Sequence, residues 1–184
     1  MSVLQIDLLE SALDQTGTVL RGVSADQREL PTPCPEFDVG QLVDHLVGWA
    51  TSFAARVSGG SADQDPNQFR AGPDPASQFD AAARAILRGY REGSQASREL
   101  PLGILLMEFV THGWDLATAT GQEYPVDPAV AEAALQAGRQ MLQPQYRGPG
   151  KTFGNEVDVP ESAAALDRLV AFLGRDPHRP AAPA

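Results

Sequence analysis

The chain has 184 residues, 42% of them hydrophobic and 21% charged, which is enough for one ordinary domain to bury about two-thirds of its unfolded surface without disulfide staples. Lys and Arg number 14 against 24 Asp and Glu, a formal net charge of -10, so a polyanion would gain nothing from counterion release and nucleic acid and acidic membranes are excluded as natural partners. No apolar run reaches the roughly 20 residues that span a bilayer, the acidic start lacks the pattern of a signal peptide, and a lone cysteine, Cys34, cannot close an intrachain disulfide; together these predict a cytoplasmic protein.

Punctuation divides the chain into helices. Residues 4–20 place Leu9, Leu13, Thr16 and Leu20 on one stripe at steps of three and four, the period of a one-sided helix. Ser24 and Gln27 offer a short capped turn, and then Pro31, Pro33 and Pro35 force an extended loop. Asp38 ends that loop as an N-cap, with Gln41 three residues on, and Val39, Leu42, Leu46, Trp49, Phe53 and Val57 continue as an apolar stripe. Residues 58–74 are a Gly/Ser/Asp/Pro connection. Pro75 opens a third helix that runs to Gly93 or somewhat beyond, and a fourth runs from Leu102 to Thr120 with Gly121 as its stop. Asp127 and Pro128 open a fifth through Leu142, and a last helix covers Ser162 to Leu173. Four long amphipathic helices and no serious strand pattern predict an all-α fold built on a helical bundle.

Three histidines carry what chemistry there is. His178 sits near the C-terminal end beside Pro177 and is read as inert. On the fourth helix, Leu105, Phe109, His112, Leu116 and Ala119 share a stripe with Glu108 at its edge, so a carboxylate and an imidazole project from adjacent turns toward the interior. Such a pair either satisfies itself or holds a metal, and burying it among Leu and Phe is costly without one or the other. His45 lies about 60° from Leu42 on the second helix and can look inward, which brings it to Glu108 and His112 if the two helices are neighbours. Two histidines and a carboxylate leave one tetrahedral position open, the ligand count of a catalytic zinc site; the alternative is a boundary histidine bonded to Asp44 or water. Asp115, one turn beyond His112, could orient that imidazole as an outer-shell carboxylate or face a polar gap. Trp49 and Trp114 are candidates for lining a pocket, and Cys34, with no base nearby in sequence, is read as a packing residue.

The segment TPCPEFDVGQLVDHLVG (Thr32 to Gly48), followed by MEFVTHGWDLATATGQ (Met107 to Gln122), resembles the metal-binding domain of mycothiol-dependent maleylpyruvate isomerases and the related actinobacterial-type metal-binding proteins of the DinB-like superfamily. The closing block FGNEVDVPESAAALDRLVAFLGRDP resembles the end of the stand-alone members. The resemblance implies a DinB-like up-down four-helix bundle, placed over residues 1–125; the punctuation of the chain adds a short C-terminal helical extension over 126–175 and a flexible tail over 176–184. The resemblance also implies a divalent metal, usually zinc, held by His45, Glu108 and His112. The isomerase carries a sizeable second domain, whereas here only a short stretch follows Gln122, so the maleylpyruvate reaction itself is not implied. The function expected is metal-dependent transfer or isomerisation, with mycothiol or a similar low-molecular-weight thiol as co-substrate and a small electrophile as substrate. The alternative is a non-catalytic metal-binding or sensor module with the same bundle. Raw affinity does not choose among zinc, nickel, cobalt and ferrous iron.

Overall fold

Four of the helices begin where a side chain serves the free amides of the first turn. The computed structural model describes residues 3–148 and 153–178; of the expected tail, residues 179–184 lie outside the described residues, as do 149–152 of the Gly148–Gly154 loop. Within the described residues, seven α-helices form and no β-strand: α1 (Val3–Arg21), α2 (Val39–Val57), α3 (Pro75–Glu92), α4 (Gln95–Glu99), α5 (Leu102–Thr120), α6 (Pro128–Met141) and α7 (Ala165–Phe172). Asp38 and Gln41 cap α2 reciprocally: the Asp38 carboxylate accepts from the Gln41 amide at 2.7 Å and the Gln41 side chain accepts from the Asp38 amide at 2.9 Å. Asp74 and Asp127 accept from amides inside α3 and α6 at 3.0 and 2.7 Å, each ahead of a proline that has no amide to satisfy. Gly93 and Gly121 stop α3 and α5 in the left-handed region, at φ 65° and 68°.

α1 packs on α3 and α5, and α2 packs on the same two helices. The order around the bundle is therefore α1, α3, α2, α5, with α2 and α5 neighbours. Leu13, Leu42, Leu46, Phe79, Leu105 and Phe109 are among the side chains buried inside it. α6 packs on α5 and α7 on α6, which completes the expected up-down bundle with additional C-terminal helices. Two boundaries differ from expectation. Gly93 ends α3 cleanly, and Ser94, whose hydroxyl accepts from the Ser97 amide at 3.1 Å, starts the separate short α4. The last helix starts at Ala165 rather than Ser162, because residues 160–163 close a turn of their own, with the Ala163 amide on the Pro160 carbonyl at 2.9 Å. No helix among the described residues is long and apolar enough to cross a membrane.

Two connections lie against the first half of α2. In the proline loop, the Thr32 hydroxyl sits 2.8 Å from the carbonyls of both Cys34 and Phe37, folding Cys34 inward and Phe37 over the bundle. The connection between α2 and α3 is held by Asp44, whose carboxylate accepts from the Ala71 amide at 3.0 Å. It can lie flat because position 48 is glycine: a Cβ there would stand 2.7 Å from both the Pro66 carbonyl oxygen and Phe69 Cβ. Gly48→Ala should therefore cost about 1–3 kcal/mol of overpacking, partly offset by about 1 kcal/mol of helix propensity. The expected result is a net loss in urea denaturation, with faster amide exchange over residues 66–71.

Candidate metal centre

Neighbouring α2 and α5 bring the predicted donors together. His45 Nε2 lies 2.8 Å from Glu108 Oε1, and His112 Nε2 lies 3.9 Å from the same oxygen. The two imidazole centroids are 4.9 Å apart. His45 is thus bonded to Glu108 and not to Asp44, which serves the loop. Glu108 takes His45 as its partner, since its distance to His112 is too long for a hydrogen bond. Burial alone would push the Glu108 carboxyl up, but the imidazoles of His112 and His45, with Arg175 behind them, outweigh it and hold the group below the usual carboxylate range. The carboxylate is in the form a cation requires.

Asp115 completes the arrangement from behind. It is fully buried, and its Oδ2 lies 3.0 Å from His112 Nδ1. An ionised Asp115 keeps the proton on Nδ1 and leaves the Nε2 lone pair directed at the Glu108 side. The charge is balanced by Arg175, whose Nη2 and Nε donate to the two Asp115 oxygens at 3.0 and 3.3 Å, while Nη1 donates to the Leu173 carbonyl at 2.9 Å. Burial raises the Asp115 carboxyl, yet Arg175 first and His112 second bring it below its ordinary value. Arg175 reaches this place through the end of α7. The Arg175 amide bonds to the Val170 carbonyl at 2.9 Å and the Gly174 amide to the Ala171 carbonyl at 3.0 Å, a Schellman turn with Gly174 at φ 85°. A Cβ at Gly174 would stand 2.7 Å from the Gly154 Cα, so the loop after residue 152 packs backbone to backbone against that turn.

Two groups of side chains have ligand atoms within 4.8 Å of one another and could hold an ion: His45, Glu108 and His112, and Cys34, His112 and Asp115. They differ in readiness. The Asp115 oxygens are already engaged by Arg175 and His112. Burial pushes the Cys34 thiol up to about 11, against the opposing pull of Arg175. The first group needs less: His45 Nε2, which donates to Glu108, has only to give up that proton, and the 2.8 and 3.9 Å separations bracket the roughly 3.3 Å between donors in a tetrahedral shell with bonds near 2.0 Å. Beside it opens a cavity of about 390 Å³ lined by Phe37, Trp49, Met107, Thr111, Phe153 and Leu173, with Cys34 and Arg175 also in its wall. The Phe37 ring lies 4.6 Å from that of His45 and 6.1 Å from that of His112, and Trp49 lies 6.2 Å from His45. Trp114 is buried away from this wall, so of the two tryptophans only Trp49 lines the cavity. Cys34 is buried, as a packing residue would be, but also faces the site. His178 is exposed. Arg175, Phe37 and Thr111 were not singled out by sequence, and nothing in the spacing links positions 115 and 175.

Residues 9–117 match the model of a family described as the mycothiol maleylpyruvate isomerase N-terminal domain. The matched segment includes His45, Glu108, His112 and Asp115 and stops before Arg175. Two relatives from Mycobacterium tuberculosis, the uncharacterized proteins MT0763 of strain CDC 1551 and Rv0738 of strain H37Rv, are each 36% identical over 185 residues, covering 90% of this chain and 94% of theirs. No solved structure matches.

Asp115→Asn should weaken metal binding about 10- to 100-fold in chelator competition, the usual effect of losing the carboxylate that orients a ligating histidine. Stranding the buried Arg175 should also cost about 3–5 kcal/mol. Because the folded-state carboxyl is depressed, the stability it contributes is present above the ordinary carboxylate pKa and is lost as pH falls through the lower folded value. The variant should lack that portion of the acid unfolding curve. For Cys34, alkylation of the native metal-free protein by iodoacetamide should be slow at pH 8 and climb until about pH 11, whereas the unfolded chain should level off near the free-cysteine value of about 8.5.

Proposed function

The chain belongs to the mycothiol maleylpyruvate isomerase N-terminal domain family, and from that membership we propose that it uses a divalent metal, held by His45, Glu108 and His112, to join a low-molecular-weight thiol to a small electrophile or to isomerise one. The observation that carries this reading is the convergence of two imidazoles from separate helices on one ionised carboxylate, 2.8 Å from His45, at the edge of an aromatic-lined cavity. Two nitrogens and one oxygen suit zinc, and three protein donors are the count that leaves a coordination position for an incoming molecule. A divalent cation bound there lowers the pKa of a coordinated thiol or water, so that the anion is available near neutral pH. The protein's own groups do the rest. Asp115, fixed by Arg175, holds the proton on His112 Nδ1. Glu108 stays ionised between the two rings. Phe37 and Trp49 lie against His45 and keep bulk water from one side of it, while Met107, Phe153 and Leu173 offer an apolar surface to the carbon skeleton of a substrate. Mycothiol is the thiol favoured by the family description.

Metal analysis of protein purified without a histidine tag tests the first half of this reading. About one equivalent of a transition metal is expected in the wild type after loading, and a small fraction of that in His112→Ala. Less than about a tenth of an equivalent in the reloaded wild type would refute it. The second half is tested by supplying mycothiol with epoxides, quinones and unsaturated acids. A metal-loaded protein that neither binds the thiol nor consumes any electrophile is a metal-binding module without turnover.

A further inference from the structure

A threonine inside a helix has a partner within reach, the carbonyl four residues back. Thr16, Thr18, Thr51 and Thr120 all use it, at 2.9, 2.9, 2.8 and 2.8 Å. Thr111 does not. It stands on α5 between Glu108 and His112 and is 4% exposed, and its hydroxyl is buried with no hydrogen-bond partner. A buried hydroxyl left unpaired is a standing cost that native structures avoid unless something else meets it. Thr111 is also part of the wall of the 390 Å³ cavity.

The rest of that wall limits what could meet it. Phe37, Trp49, Met107, Phe153 and Leu173 are apolar, and beside the two histidines the polar lining is Cys34, Asn67, Arg175 and the acidic Glu36 and Glu108. Arg175 reaches the wall with its charge balanced by Asp115, to which Nε and Nη2 donate, while Nη1 donates to the Leu173 carbonyl. We propose that Thr111 is a ligand-recognition residue whose hydroxyl donates a hydrogen bond to the carbonyl oxygen of a small, uncharged, apolar-bodied molecule, of the ketone, enone or quinone class, bound beside His45, Glu108 and His112. A neutral donor matches a neutral acceptor. A carboxylate in the same place would share the cavity with the acidic Glu36 and Glu108, and the guanidinium in the wall is already paired with Asp115. The proposal names the ligand class of the site read above and rests on that cavity being where substrate binds; its test requires neither metal nor turnover.

Three molecules of matched size, acetophenone, ethylbenzene and benzoate, are titrated by ligand-observed NMR into the metal-free full chain as wild type, Thr111→Val and Thr111→Ser. The wild type should prefer acetophenone to ethylbenzene by about fivefold or more, the worth of one hydrogen bond. Thr111→Val should bring the ratio near one while ethylbenzene still binds, and Thr111→Ser should restore the preference. Because valine removes only an unpaired hydroxyl, its melting temperature should equal or exceed that of the wild type. A preference that survives in Thr111→Val, benzoate binding more tightly than acetophenone, or a Thr111→Val protein that melts several degrees lower or fails to fold would each overturn the proposal. None of those results would touch the metal content or thiol reactivity, which stand or fall on their own measurements.

Discussion

The buried contact of Asp115 with Arg175 and His112 is the constraint on which the centre depends. A carboxylate with no exposure to water, placed inside a bundle of leucine and phenylalanine, is tolerable only if its charge is matched and its lone pairs are filled. Arg175 matches the charge with two donors, and His112 Nδ1 fills the remaining direction. Replacing the whole set by well-packed apolar residues would stabilise the fold as well or better, so stability is a poor reason to keep it. What the set does that apolar packing could not is choose a tautomer for His112 and hold the ring in one plane. That ties the donor properties of a bundle histidine to an arginine sixty positions beyond Asp115 in the chain.

Each of the two motif blocks gains a physical meaning beyond its donor. In the first, Asp44 anchors the connection to α3, His45 faces Glu108, and Gly48 is bare because the Pro66 carbonyl and Phe69 occupy the place of a side chain. In the second, His112 is followed by Gly113, where a Cβ would stand 2.8 Å from the Thr16 hydroxyl and collide with that of Tyr124, and then by Asp115 two residues later. Thr16 in turn contacts the Phe109 carbonyl at 3.0 Å and the Tyr124 hydroxyl at 3.2 Å, fastening α1 to the middle of α5. Each block is a donor, a glycine that allows close packing beside it, and a carboxylate that fixes what lies next to it. Spacing between these roles is set by the helix, which is why the blocks are recognisable as runs of sequence.

The same logic explains which parts of the molecule could be read without coordinates. His45, Glu108, His112 and Asp115 lie on helices whose faces follow from the 3.6-residue period, so the direction in which each points was legible once the apolar stripes were marked. The caps at Asp38, Asp74 and Asp127 were legible because their partners are two or three residues away. Phe37, Cys34, Arg175 and Phe153 sit in loops or just past a helix end, where direction is decided by contacts distant in sequence. Thr111 fails for a different reason. Its position on α5 was predictable, but the missing hydrogen bond that sets it apart is a property of one rotamer in one environment. The separate α4 was hidden because a single left-handed glycine, in a stretch that otherwise reads as helix, decides between one helix and two.

The division of labour between the two parts of the chain follows from where the energetic couplings run. The bundle supplies all three donors, from α2 and α5, and the stretch matched by the family model ends at residue 117. Yet the cavity is closed on one side by Phe153, Leu173 and Arg175, all beyond that stretch. The Arg175 guanidinium is delivered by a turn that needs glycine at both 154 and 174 to let two backbones touch, and Arg147 holds the same turn by donating to the Phe172 carbonyl at 2.6 Å. A bundle carrying these donors without the segment after it would present Asp115 as an uncompensated buried charge and leave the cavity open to water. The C-terminal segment therefore acts on the candidate centre twice, electrostatically through Arg175 and sterically through the wall.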